Sequence, residues 1–302
     1  MKYSVQKHIQ QDPDHINVHW DTLTICQLNC SYCYARNMYG KEWGKISSKE
    51  VLDAVIEALN RSTLPFNLGL LGGEPTLGPH YYYILEKITA LPKFQKLYVV
   101  TNAEKDLTSH PDYQGRLAWL FSYHPADCTD RDRFVANMKL MVSRGYQCKV
   151  NIILHHGKAY WPLIKEMFEI CEQIEGLKIH PHFLYGNKMD KLFNYRKDFW
   201  EYFSFLEDYE KDLQYDDEVF NDYIVFRDSL TNFKGWSCYN NNYEVDVRGN
   251  VVQFCMNEYG GDNLLKNPDF FKNIEKTVPI ICPHNQCNCD GLLKQLKVKN
   301  ES

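Results

Sequence analysis

The chain has 302 residues, 44% of them apolar, a net charge of −5 and eleven cysteines. That length suits one large α/β domain with a smaller companion. The acidic balance excludes an overall basic field that would draw in nucleic acid, while leaving a nucleic-acid substrate open, and no stretch approaches the roughly 18 apolar residues of a membrane span. The cysteine set is odd in number and clustered, and the N-terminus lacks a secretory apolar region. These features point to a reducing cytoplasm and to thiols used for metal rather than for crosslinks.

Residues 1–19 are polar and read as an arm or edge strand. Residues 21–26, β-branched and apolar, read as a first strand running into a cysteine loop. Ser47 or Ser48 then caps a helix with apolar Val51, Val55, Ala58 and Leu59. A strand at 66–71 ends at Gly72-Gly73-Glu74-Pro75, and a helix follows over 81–91. Strands at 96–102, 117–124, 148–154 and 178–185 alternate with helices carrying Phe134, Met138 and Met141, and spanning 161–174. Six strands alternating with helices or helix-length connections argue for a parallel sheet with right-handed crossovers. This is an α/β fold, and the pattern alone does not choose a barrel over an open sheet. Amphipathic helices are expected over 196–213 and 216–230. From Trp236 a hairpin is expected, with strands at 243–247 and 251–254 about an Arg248-Gly249-Asn250 turn.

Three stretches carry chemistry. Cys26, Cys30 and Cys33 sit at C-x3-C-x2-C at the end of a strand, where barrel-type α/β folds put their active sites. Three thiolates can hold three irons of a cubane that normally takes four, leaving one iron open. Zinc knots usually use two pairs of ligands, which this loop lacks. Gly72-Gly73-Glu74 supplies close backbone approach and a carboxylate acceptor. In isolation it would pass for an ordinary strand-to-helix turn. Five more cysteines, Cys238, Cys255, Cys282, Cys287 and Cys289, gather around and beyond the hairpin. A closed four-thiolate site there suits either a cubane or zinc. Cys128, Cys148 and Cys171 read as core residues. His124, His155, His156, His180 and His182 fall near strand ends, and none is assigned catalysis.

C-x3-C with Tyr32 before the third Cys, followed by Gly-Gly-Glu one strand later, resembles the radical S-adenosylmethionine (SAM) enzymes. The resemblance implies a partial (β/α)6 TIM-like barrel at 20–190, and a [4Fe–4S] cluster on Cys26, Cys30 and Cys33 whose open iron chelates SAM. It also implies reductive cleavage of SAM to a 5′-deoxyadenosyl radical that abstracts hydrogen from a substrate, with a flavodoxin- or ferredoxin-type one-electron donor. Gly72, Gly73 and Glu74 would hold SAM, Tyr32 would lie near adenine, and Asn102, Ser122, Asn151 and Tyr185 would be further SAM contacts at strand ends. After a helical bridge at 191–235, residues 236–302 resemble a twitch domain, a shortened SPASM extension. It would carry a second, auxiliary [4Fe–4S] cluster on four of its five cysteines, with zinc as the rival.

The reaction is expected to be of oxidoreductase or isomerase type. The 19-residue arm is too short for a leader-binding domain, which tilts the expected substrate toward a small molecule, a nucleotide or modified base, or a peptide presented by a separate protein. A glycyl-radical activase would carry ferredoxin-like repeats that this tail does not resemble. A non-catalytic Fe–S or zinc protein is the alternative from another class.

Overall fold

The computed structural model describes residues 7–8, 15–113, 115–184, 195–209, 211, 213–215, 218–228, 230–253, 262–274, 279–283, 287 and 297–299. In chain order the elements are β1 (Lys7–His8), β2 (Ile16–Asp21), α1 (Tyr34–Tyr39), α2 (Lys49–Asn60), β3 (Phe66–Leu71), α3 (Tyr81–Thr89), β4 (Phe94–Thr101) and β5 (Leu117–Tyr123). Then follow α4 (Arg131–Ser143), β6 (Gln147–Leu154), α5 (Trp161–Glu172), β7 (Leu177–Phe183), α6 (Lys197–Tyr202), β8 (Leu213–Tyr215), β9 (Glu218–Phe220) and α7 (Asp222–Arg227). The chain closes with β10 (Ser237–Cys238), β11 (Asn242–Val245), β12 (Asn250–Gln253), β13 (Asp262–Asn263), β14 (Ile280–Ile281) and β15 (Lys297–Val298).

A nine-stranded sheet runs β13-β12-β11-β2-β3-β4-β5-β6-β7. Neighbours from β11 through β2 to β7 are all parallel. Side chains alternate in face along each strand. Val18, Trp20, Leu68, Leu70, Leu97, Val99, Trp119, Phe121, Val150 and Ile152 join one buried core with Val55, Leu59, Ile84, Phe134 and Ile164 of the helices. The alternate positions are largely polar: Asn17, His19 and Asp21 on β2, Ser122 on β5, Lys149 and Asn151 on β6, His180 and His182 on β7, Asn242 and Glu244 on β11. The helices thus bury one face of the sheet, and the other face is left for chemistry. A second sheet, antiparallel throughout, runs β14-β10-β15-β1-β8-β9.

Three sequence expectations are corrected. The first strand is β2 rather than 21–26, so residues 16–19 belong to the main sheet and not to an arm. Ile16, Val18 and Trp20 fill the apolar face, whereas the stretch after Asp21 makes a single bridge, Leu23 to Ile46. The expected helix at 196–213 ends early, as α6 and a 3-10 turn over Ser204–Asp208. Its apolar stripe runs Phe199, Phe203, Leu206, Tyr209, and the last two steps of three match a 3-10 rather than an α repeat. The helix expected at 216–230 shortens to α7, which Asn221 caps by accepting the Ile224 N–H at 3.1 Å. The hairpin forms as β11 and β12, with Asp246–Gly249 as its turn. It also extends the main sheet, pairing β11 with β2.

Candidate active site

The thiol loop leaves β2 and is fixed from two sides by backbone. Gly73 N–H donates to Leu23 O at 2.9 Å and Glu74 N–H to Ile25 O at 2.8 Å. Thr24 N–H donates to Lys45 O at 2.8 Å, and Ser47 N–H to Thr22 O at 3.0 Å. Gly72 has φ +108°, and a Cβ there would meet Leu23 O at 2.1 Å; at Gly73 it would meet Ile25 O at 2.0 Å. The two glycines therefore serve a close approach between the end of β3 and the entry to the thiol loop.

Glu74 is buried, and burial raises its pKa against the pull of its hydrogen bonds. Its Oε1 accepts from Thr76 N–H (3.2 Å), Thr76 Oγ1 (2.6 Å) and Thr101 Oγ1 (2.8 Å), and its Oε2 from Asn102 N–H (2.8 Å). The carboxylate so ties the end of β3 to the end of β4, and Oε2 keeps lone-pair capacity for one more donor. The next residue, Ala103, has φ +53°, a strained conformation for a non-glycine. Asn137 of α4 holds that turn, donating to Ala103 O and Lys105 O at 2.8 Å each and accepting from Leu107 N–H at 3.1 Å.

Asn102 reaches back to the loop. Its Nδ2 lies 3.5 Å from Cys26 Sγ, and its Oδ1 accepts from Gln27 Nε2 at 2.8 Å. Arg36 N–H donates to Cys33 Sγ at 3.4 Å, and Cys30 Sγ lies 3.6 Å from His124 Nδ1. Tyr32 stacks on His124 and meets His155 edge-on, with its hydroxyl 3.1 Å from His124 Nδ1. Burial pushes the Cys26 thiol up to about 11, with the Glu74 charge adding to it, and burial together with Asp127 raises Cys30. Burial, then His182, lowers His124 to about 4. Thiols so raised give up their protons when a metal takes them, not before.

The strand register brings the other sequence candidates into one row. Thr101 pairs with Phe121, so Asn102 continues level with Ser122; Ser122 pairs with Asn151, and Asn151 with His180. Asn151 Oδ1 is buried with no hydrogen-bond partner. Tyr185, Cys255 and Cys289 lie outside the described residues. Thr76, Thr101, Asn137 and Gln27 belong to the site's framework but were not singled out from sequence, since only the register and the folded turn reveal their bonds.

The loop's donor set fits an iron–sulfur cluster. It offers three thiols, with N–H groups of Asn102 and Arg36 directed at two of them. Among the described residues no three His, Cys, Asp or Glu side chains converge on a single ion position; three thiolates on separate irons need no such convergence.

Residues 21–112 match the family model of the radical SAM superfamily. Over that stretch the chain is similar to the radical SAM superfamily. No curated protein matches the sequence. Among solved structures, the chain resembles SuiB of Streptococcus suis bound to precursor peptide SuiA, with 15% identity, TM-score 0.54 and coverage of 85% of this chain and 65% of that one. SuiB bound to S-adenosylmethionine matches at 15% identity and TM-score 0.52, over 87% and 66% of the two chains. The protein anSMEcpe with AdoMet and the Cp18Cys peptide matches at 14% identity and TM-score 0.54, over 87% and 82%. The chain thus spans just under two thirds of the SuiB chains it resembles. At these identities the likeness is one of fold, a mixed α/β architecture with a large, mostly parallel sheet.

Three C-terminal cysteines are described: Cys238 on β10, Cys282 just after β14, and Cys287. Cys238, Cys282 and Cys287 are all buried. Cys282 is held by Trp236 and Gly235 backbone at 2.8 and 2.9 Å, and Cys287 N–H donates to Thr231 O at 2.7 Å. Burial pushes the Cys238 thiol up to about 11; Lys297 opposes that, and Cys287 and Cys282 add to it. No described helix is long and apolar enough to cross a membrane.

Proposed function

We propose that this chain is a radical SAM enzyme in which Cys26, Cys30 and Cys33 hold a [4Fe–4S] cluster and the polar row at the strand ends holds SAM. When bound, the cluster supplies an open iron for SAM and the electron that converts it to methionine and a 5′-deoxyadenosyl radical. The observation that carries the reading is the meeting of the thiol loop with Glu74 and Asn102 at the C-terminal ends of adjacent parallel strands. Asn102 and the Arg36 N–H donate to thiolate sulfurs. Gly72 and Gly73 set the loop's distance from β3. Glu74 accepts from the SAM amino group through the free capacity of Oε2. Ser122 and Asn151 orient the ribose, Asn151 offering its unpartnered Oδ1. Tyr32, braced by His124 and His155, walls the adenine side.

Four of Cys238, Cys255, Cys282, Cys287 and Cys289 would hold an auxiliary cluster, which would supply an electron acceptor for the substrate radical. An external flavodoxin- or ferredoxin-type donor reduces the first cluster, in a reducing cytoplasm. A peptide substrate is supported by the likeness to SuiB with its precursor peptide and to anSMEcpe with bound peptide.

The test is an iron and sulfide count, with 5′-deoxyadenosine release under dithionite, on anaerobically reconstituted protein and a Cys26/Cys30/Cys33→Ala variant. About eight irons falling to about four, with nucleoside release lost, is the expected result. Full iron with no nucleoside release would favour a non-catalytic iron–sulfur protein. Four irons with zinc retained in the variant would make the tail a zinc site.

A further inference from the structure

We infer that His124 is the hydrogen-bond donor to Cys30, and that through this bond it raises the reduction potential of the iron–sulfur cluster proposed for the thiol loop. This rests on the cluster reading above. His124 follows β5, one strand over from Asn102 at the end of β4. Its Nδ1 lies 3.6 Å from Cys30 Sγ. Asn102 Nδ2 stands 3.5 Å from Cys26 Sγ, and the Arg36 backbone nitrogen 3.4 Å from Cys33 Sγ. Each loop thiol thus has a nitrogen set against it, from the end of β4, the first turn of α1 and the end of β5. The imidazole is itself held in place. Tyr32 stacks on it with ring planes 12° apart, and the Tyr32 hydroxyl is 3.1 Å from the same Nδ1. That hydroxyl also bonds Asp127, whose N–H donates to His124 O at 3.0 Å.

A thiolate has lone pairs and no proton, so it can only accept. With Cys30 in that form, the favourable arrangement puts the proton on His124 Nδ1, shared between Cys30 Sγ and the Tyr32 oxygen, while the Tyr32 proton goes to Asp127. A hydrogen bond to an ionised acceptor is about twice as strong as a neutral one, and it strengthens as negative charge builds on the sulfurs. Such a donor therefore favours the reduced form, since hydrogen bonds to the sulfurs are among the levers that set iron–sulfur potentials. Asp127 also reaches Cys30, and its charge acts in the opposite sense. A donor at Cys30 offsets it. His124 acts through Cys30, so it is a positioning residue.

The experiment uses the full chain, reconstituted anaerobically. His124→Phe keeps a flat ring for Tyr32 and removes the N–H; His124→Asn gives up the ring and keeps an amide N–H near the Nδ1 position. The loop cluster is followed by the EPR signal that is lost in the Cys26/Cys30/Cys33→Ala variant. Its midpoint is titrated against redox mediators, with iron counted alongside. The expected result is full iron in both variants, a midpoint more negative by about 59 mV in His124→Phe, a tenfold change in a one-electron equilibrium, and a midpoint near wild type in His124→Asn. Equal midpoints in all three proteins with full iron would overturn the assignment and leave the cluster reading intact. Equal negative shifts in the two variants would also overturn it, since the ring and not the donor would then matter. Iron lost from His124→Phe and kept in His124→Asn supports the donor role, and iron lost from both overturns it. A parent without that signal overturns the cluster reading and this inference with it.

Discussion

Gly73→Ala tests whether the thiol loop is positioned by the end of β3. A Cβ at Gly73 would sit 2.0 Å from Ile25 O, where ordinary contact begins at 3.4 Å. The two segments must therefore part by about 1.4 Å, the difference of those distances. That movement breaks the Gly73–Leu23 and Glu74–Ile25 backbone bonds. Each is worth about 1 kcal/mol net, and forcing an overpacked site adds about 1–3 kcal/mol. The expected loss is about 3–5 kcal/mol, a large part of the stability of a typical domain. Gly145→Ala is the control. It has φ +79° and nothing within 4 Å of the new Cβ, so its cost is backbone strain of about 1–2 kcal/mol. Urea denaturation followed by circular dichroism gives both values, and iron content after reconstitution gives the effect on the loop. Gly73→Ala should lose iron along with stability, and Gly145→Ala should keep its iron. A Gly73→Ala protein within about 1 kcal/mol of wild type and fully loaded would refute the coupling.

Asn151→Ala should leave stability within about 0.5 kcal/mol, because Oδ1 has no partner to lose. It should weaken SAM binding about tenfold, the equivalent of one hydrogen bond of about 1.4 kcal/mol; unchanged affinity in equilibrium dialysis would remove Asn151 from the site. His19 is neutral in the folded chain because burial, only partly offset by the Asn242 hydrogen bond, lowers its pKa from 6.5 to about 4. As pH falls from 6.5 toward 4 the unfolded chain takes a proton that the folded one refuses, so stability drops by up to about 3 kcal/mol. His19→Asn should lose that slope, and parallel urea-midpoint curves for the two proteins between pH 7.5 and 4.5 would sink the argument.

The order of strands, the cysteine loop and the Gly-Gly-Glu turn were legible because each depends on residues close together in sequence. Strand β2 was not, for a reason tied to function. Ile16, Val18 and Trp20 alternate with Asn17, His19 and Asp21, whereas a parallel strand buried on both faces reads as a continuous apolar run. The polar residues that hid the strand are those facing away from the helices. The pairing of β11 with β2 joins Asn242 to Asn17, and nothing local announces it. Glu74 was legible as a carboxylate after paired glycines, but its bonds to Thr101 and Asn102 depend on the register of β3 against β4.

These same long-range contacts explain how a loop without regular structure of its own can hold its first thiol in place. Residues 22–25 are bonded on one side to Lys45 and Ser47 and on the other to Gly73 and Glu74. Ser47 also donates its hydroxyl to Val247 O in the turn of the hairpin at 3.0 Å, so the C-terminal hairpin braces the support of the N-terminal loop. Glu74 then fixes Asn102, and Asn102 meets Cys26. The stretch that leads into the first thiol is therefore held by bonds within the protein. A ligand held in place in this way reduces the ordering cost of binding, and loss of Glu74 is expected to release Asn102 and, through it, Cys26.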